Sequence, residues 1–127
     1  MSNERTEDMR LDDIFEKGKI ALFKLLDEVS GEKNTGCIMI YAGKIRFKTA
    51  SGNRDERRTK DVFKSMDSDD FVRESARKIM GMDAEWEDYT VCKRTIAYRN
   101  RLYQTVAVNE RFTAEKRPML QIRILMA

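Results

Sequence analysis

Lys44, Arg46 and Lys48 stand two residues apart, with Ile45 and Phe47 between them. In an extended chain successive side chains leave opposite faces, so this spacing collects three cations on one side and the apolar pair on the other. Tyr41 precedes them, and Arg54, Arg57, Arg58 and Lys60 come after. Single-strand-binding sheets use cations in line beside an aromatic ring, the charges meeting phosphates and the ring stacking on a base. From Lys44 to Lys60 seven cations stand against Asp55 and Glu56, a net +5, although the whole chain carries only +3. Residues 1–30 hold eight acids and five bases. Charge is therefore segregated along the chain, which bears on partners and not on fold.

Other chemistry has thinner support. The chain contains no His, which removes the commonest general base and any Ser-His or Cys-His pair. Gly31, Gly36 and Gly43 lack the spacing of a phosphate-binding loop, and no cofactor motif is present. Cys37 and Cys92 are too few for a zinc site and read as buried, reduced thiols of a cytoplasmic protein. The run Asp67-Ser68-Asp69-Asp70 lacks the turn glycine and closing glutamate of a calcium loop, and suits a helix start instead. Asp83, Glu85, Glu87 and Asp88 surround Trp86, which reads as a core or edge anchor; no organising motif accompanies these acids. A catalytic site and a metal site are not expected. A small ribonuclease working with Arg, Lys and Tyr is the lesser alternative.

The elements that must position these residues are set by periodicity. Leu11, Ile14, Phe15, Leu22, Leu25, Leu26 and Val29 have helical spacing, broken or continuous at Gly18, with Gly31 as the stop. Ile38 and Ile40 then face Ile45 and Phe47 if Ala42-Gly43 is the turn, which makes 35–48 a hairpin with one apolar and one basic face. Gly43 suits the second position of a type II turn, and since Ala42 is a poor residue for type I′, a four-residue loop of the same parity stays open. Residues 51–60 contain no large apolar side chain and read as a loop. A short cluster at Val62, Phe63 and Met66 leads to a helix from about Phe71 to Met80. In a second hairpin, Tyr98, Arg99 and Asn100 form the loop and Ala97 pairs with Arg101, so Cys92, Ile96, Leu102, Val106 and Val108 share the inner face. A last strand comes after Pro118, with Leu120, Ile122 and Ile124 inward.

The expected fold is α+β, a single domain over residues 10–127 behind a disordered tail at 1–9. Its order is α-β-β-α-β-β-β, with a mostly antiparallel sheet of about five strands against two helices. That order is similar to roadblock-type dimerisation domains, a likeness of element order alone, which implies pairing through a helix and an edge strand. No run of about 18 apolar residues spans a membrane, and the N-terminus lacks a signal-peptide core.

Two surfaces compete for function. The leading expectation is a non-enzymatic module that binds another protein or itself as a homodimer. It would use Met39, Tyr103, Met119 and Leu125, which fall opposite the expected core, with the last strand as an open edge. The alternative is binding of RNA or single-stranded DNA by Tyr41, Lys44, Arg46, Lys48, Arg54, Arg57, Arg58 and Lys60. Arg99 and Arg101 would join that track if the two hairpin tips converge.

Overall fold

A computed structural model describes residues 16–28, 36–49, 52, 54–63, 67–78, 91–98 and 101–126. Helix α1 covers residues 16–28. After it come β1 (Gly36–Tyr41), β2 (Lys44–Thr49), β3 (Arg54–Arg58), α2 (Thr59–Phe63) and α3 (Ser68–Lys78). The chain ends with β4 (Val91–Tyr98), β5 (Arg101–Val108), a 3-10 turn at Glu110–Phe112 and β6 (Met119–Met126). Two three-stranded meanders meet along β1 and β6, giving one antiparallel sheet in the order β3-β2-β1-β6-β5-β4. The fold is α+β, with six strands and three helices where five and two were expected.

The helices share one face of this sheet. Leu22, Leu25 and Leu26 of α1 and Phe71, Val72 and Ala76 of α3 form one core with Ile38, Ile40, Ile45, Phe47, Leu120, Ile122 and Ile124. The first hairpin has the register that parity dictates, from Gly36 opposite Thr49 to Tyr41 opposite Lys44. Its turn differs. Ala42 and Gly43 both have positive φ, 54° and 78°, the signature of a type I′ turn whose twist matches the flanking strands. Ala42 bears that backbone cost because the four paired apolar side chains fix a two-residue loop.

The segment expected as a loop is instead strand β3 and helix α2. All five β3 side chains are exposed, so burial does not drive it. Backbone pairing with β2 does, helped by Glu56 directly opposite Arg46, while Lys44–Arg58 and Lys48–Arg54 set like charges against each other. Charged side chains are also what protects a sheet edge from unwanted pairing. Thr59 pins the far end, since its N–H and its hydroxyl both donate to the Gly43 carbonyl at 2.9 Å.

The second hairpin is shifted by one residue from expectation. Tyr98 pairs with Arg101, leaving a two-residue connection, and Cys92, Arg94 and Ile96 pair with Ala107, Thr105 and Tyr103. Tyr103 is 1% exposed and lies edge-on to Phe23 at 5.4 Å, so it belongs to the core and not to an interface. Leu102 takes the outward position at 46% exposure. Thr105, fully buried, donates its hydroxyl to the Arg94 carbonyl at 3.0 Å, which satisfies the polar group the shift brings inside. Strand β6 lies between β1 and β5, so it offers no open edge; the edges are β3 and β4.

Helix α1 runs through Gly18 without a break among the described residues. A Cβ on Gly18 would meet Phe71 Cε2 at 2.7 Å and Cδ2 at 3.0 Å. Phe71 cannot yield freely, being fully buried and stacked on Phe63 at 4.2 Å between centroids. Gly18→Ala should therefore destabilise by about 1–2 kcal/mol through overpacking, outweighing the gain in helix propensity. Urea unfolding checks this as a lower midpoint at unchanged slope; a raised midpoint would show that propensity governs the site.

At the start of α3, the Asp67 carboxylate accepts the N–H groups of Asp69 and Asp70 at 2.9 and 3.4 Å, which makes it the N-cap. Asp69 and Arg73 then tie α3 to the segment between β5 and β6. Arg117 donates to Asp69 at 2.9 Å, and Arg73 bridges Asp70 and Glu110. No helix among the described residues is long and apolar enough to cross a membrane. The tail at 1–9, Leu11, Ile14, Phe15 and Val29 of the expected first helix, Met80, Trp86 with its neighbouring acids, and Arg99 fall outside the described residues.

Candidate functional site

Residues directly opposite in a sheet share a face, so the pairing registers trace which side chains line the face away from the helices. One row crosses all six strands as Arg54, Lys48, Cys37, Arg123, Gln104 and Thr95. The next runs Glu56, Arg46, Met39, Gln121, Val106 and Lys93. A third begins with Arg58, Lys44 and Tyr41 and resumes on the far side with Met119, Val108 and Val91. Among the described residues no helix covers these rows. Their cations are Lys44, Arg46, Lys48, Arg54, Arg58, Lys93 and Arg123, and their one acid is Glu56.

These charges are not equally available. Glu56 accepts from Arg46 Nε at 2.9 Å and lies 3.6 Å from Lys44 Nζ. The Arg46 guanidinium, with help from Lys44, holds the Glu56 carboxyl below its ordinary pKa and so keeps it ionised. Arg58 is engaged by Asp61 at 3.0 Å. Lys48, Arg54, Lys93 and Arg123 have no acidic partner among the described residues. Three of those four, Arg54, Lys48 and Arg123, lie in the same row, with Cys37 between Lys48 and Arg123.

The face is hollowed on either side of Met39 and Arg46. One recess, of about 670 Å³, is lined by Met39, Lys48, Arg54 and Gln121 among others. A smaller one, about 230 Å³, is lined by Met39, Tyr41, Lys44, Arg46, Glu115 and Arg117. Tyr41 is held at its edge, its hydroxyl accepting the Glu115 N–H at 3.0 Å. Cys37 is half-exposed and not buried as expected; Cys92 is buried, and both thiols are free.

Of the cations expected to act together, Lys44, Arg46, Lys48, Arg54 and Arg58 do share this face. Arg57 turns to the helix side, where its guanidinium lies 5.1 Å from the Phe47 ring centre and 3.3 Å from Glu28. Lys60 is exposed on α2. The hairpin tips do not converge. Ile40 pairs with Leu120 and Leu120 with Ala107, whereas Leu102 pairs with Met126, so the tips lie at opposite ends of the sheet. Arg101 pairs with Asp27 of α1 at 3.1 Å. Met39 and Met119 are half-buried and Leu125 is 43% exposed, all on or at the rim of the outer face. Sequence reasoning missed Arg123 and Gln121, whose outward parity on β6 is legible from the inward Leu120, Ile122 and Ile124. Comparison with protein-family models, curated proteins and solved structures gives no match.

Proposed function

We propose that this protein binds single-stranded nucleic acid on the outer face of β1, β2, β3 and β6, without acting as an enzyme on it. The observation that carries this reading is the row Arg54, Lys48, Arg123, whose cations have no acidic partner among the described residues. A cationic face with half-exposed Met39 at its centre and Tyr41 at its end suits phosphates flanking unstacked bases. Self-association face to face would oppose cation to cation, which favours an anionic partner over a second copy.

The test is titration of a fluorescent single-stranded oligonucleotide with the full chain at two salt concentrations. With three phosphate contacts the logarithmic salt slope should be about −2, a loss of about twentyfold between about 50 and 200 mM salt. Absence of binding at low salt, or binding indifferent to salt, would reject the proposal. Glu56 competes with phosphate for Arg46 and Lys44, so Glu56→Gln should tighten binding by about threefold or more and steepen the salt slope by about 0.7. Unchanged affinity in that variant would place the contacts elsewhere.

A second reading is favoured by one feature. Leu102 and Leu125 are both strongly exposed where the β5–β6 ladder is irregular, an apolar spot suited to another protein or to a homodimer. Light scattering across concentration tests it, and a strict monomer that Leu125→Lys leaves unaltered counts against a homodimer there.

A further inference from the structure

We infer that the larger recess is a nucleobase subsite, with Met39 as one wall, Gln121 reading the base edge and β2 supplying phosphate contacts. This rests on the proposed binding of single-stranded nucleic acid and goes further, giving the bound strand an axis along β2 and the site a base preference. Outward residues on one strand are about 6.7 Å apart. Lys44, Arg46 and Lys48 therefore form a ladder along β2 with a spacing comparable to that between successive phosphates of an extended single strand. Strand β1 runs alongside and presents Cys37, Met39 and Tyr41 at the same three levels. A nucleic-acid strand running along β2 would thus lay its bases over β1 and towards β6.

The two recesses fit that arrangement. They share Met39 and Arg46 and open on opposite sides of them, so they form successive places along the same strand direction. The larger has the Met39 thioether along one side, cations on its β2 and β3 side, and the Gln121 carboxamide on its β6 side. Its volume of about 670 Å³ is ample for a base. Met39 is directly opposite both Arg46 and Gln121, so one residue separates the charged wall from the amide wall. The Gln121 side chain has no hydrogen-bond partner among the described residues and is half-buried. A carboxamide offers a donor and an acceptor side by side, which matches the N6 amino group and N7 of adenine, and the larger purine ring covers more of Met39 than thymine does.

The experiment compares dA, dC, dG and dT oligomers of equal length on the full chain, Gln121→Ala and Lys48→Ala, with thermal melts as a control on folding. The full chain should bind the dA oligomer about fivefold or more tightly than the dT oligomer. Gln121→Ala should bring the oligomers to within about twofold of one another at unchanged salt slope. Lys48→Ala should weaken all of them alike and reduce the slope by about 0.7. A Gln121→Ala protein that keeps the original ranking, or loses affinity for every oligomer equally, overturns the base subsite while leaving the binding face intact. Displacement of every oligomer by polyglutamate at equal charge would also overturn it, marking the face as a general anion site. If no oligomer binds at low salt, the proposed function itself fails.

Discussion

Tyr103→Ala should cost about 3–5 kcal/mol, the loss expected for an aromatic side chain removed from a closed core. The ring is 1% exposed, packs edge-on to Phe23 and sits directly opposite Ile96 and Ile124. Domains of this size have total stabilities of about 5–15 kcal/mol, so the variant should be largely unfolded in mild denaturant. Its neighbour supplies the control. Leu102→Ala removes a side chain that is 46% exposed and should change stability by no more than about 0.5 kcal/mol. The contrast tests the register of the second hairpin, because a shift by one residue exchanges the two positions. Chemical denaturation of both variants decides it. Comparable losses, or a larger loss for Leu102, would contradict the pairing of Tyr98 with Arg101.

The second large effect concerns binding. Lys48→Glu with Arg123→Glu reverses two charges that flank Cys37 in one row, and neither has an acidic partner among the described residues. Affinity for single-stranded oligonucleotides should fall by about a hundredfold or more at low salt, with most of the salt dependence gone. Stability should stay within about 0.5 kcal/mol, since both side chains are exposed and away from the core. Reversing Arg57 instead should weaken binding little, because its guanidinium is spent on Phe47 and Glu28 on the helix side. An equal loss from the two changes would mean that net charge, and not this face, governs binding.

How much of this was legible in the sequence differs between the two hairpins, and for a physical reason. In the first, the large aliphatic and aromatic residues Ile38, Ile40, Ile45 and Phe47 satisfy a single register, so parity and turn length agree. In β5 the apolar residues occupy both parities: Leu102, Val106 and Val108 on one, Tyr103 and Ala107 on the other. Parity then cannot choose, and the loop length decides. A two-residue connection turns Tyr103 inward, and the buried Thr105 is accommodated by the Arg94 carbonyl. Strand β3 was hidden for the opposite reason. It has no apolar side chain, and only the complementarity of Glu56 to Arg46 across the turn hints at pairing. The basic face was legible on β2 alone. Arg123 and Gln121 join it because β6 lies beside β1, a long-range pairing that no local spacing reveals.

The position of Cys37 makes a direct measurement possible. Its half-exposed thiol lies in the centre of the proposed face, between Lys48 and Arg123, while Cys92 is buried and serves as a silent internal reference. The rate of Cys37 alkylation by a small maleimide should fall in proportion to the fraction of protein bound as single-stranded oligonucleotide is added, and recover when salt releases the complex. An unchanged Cys37 rate at an oligonucleotide concentration that saturates the protein would contradict binding on the outer face.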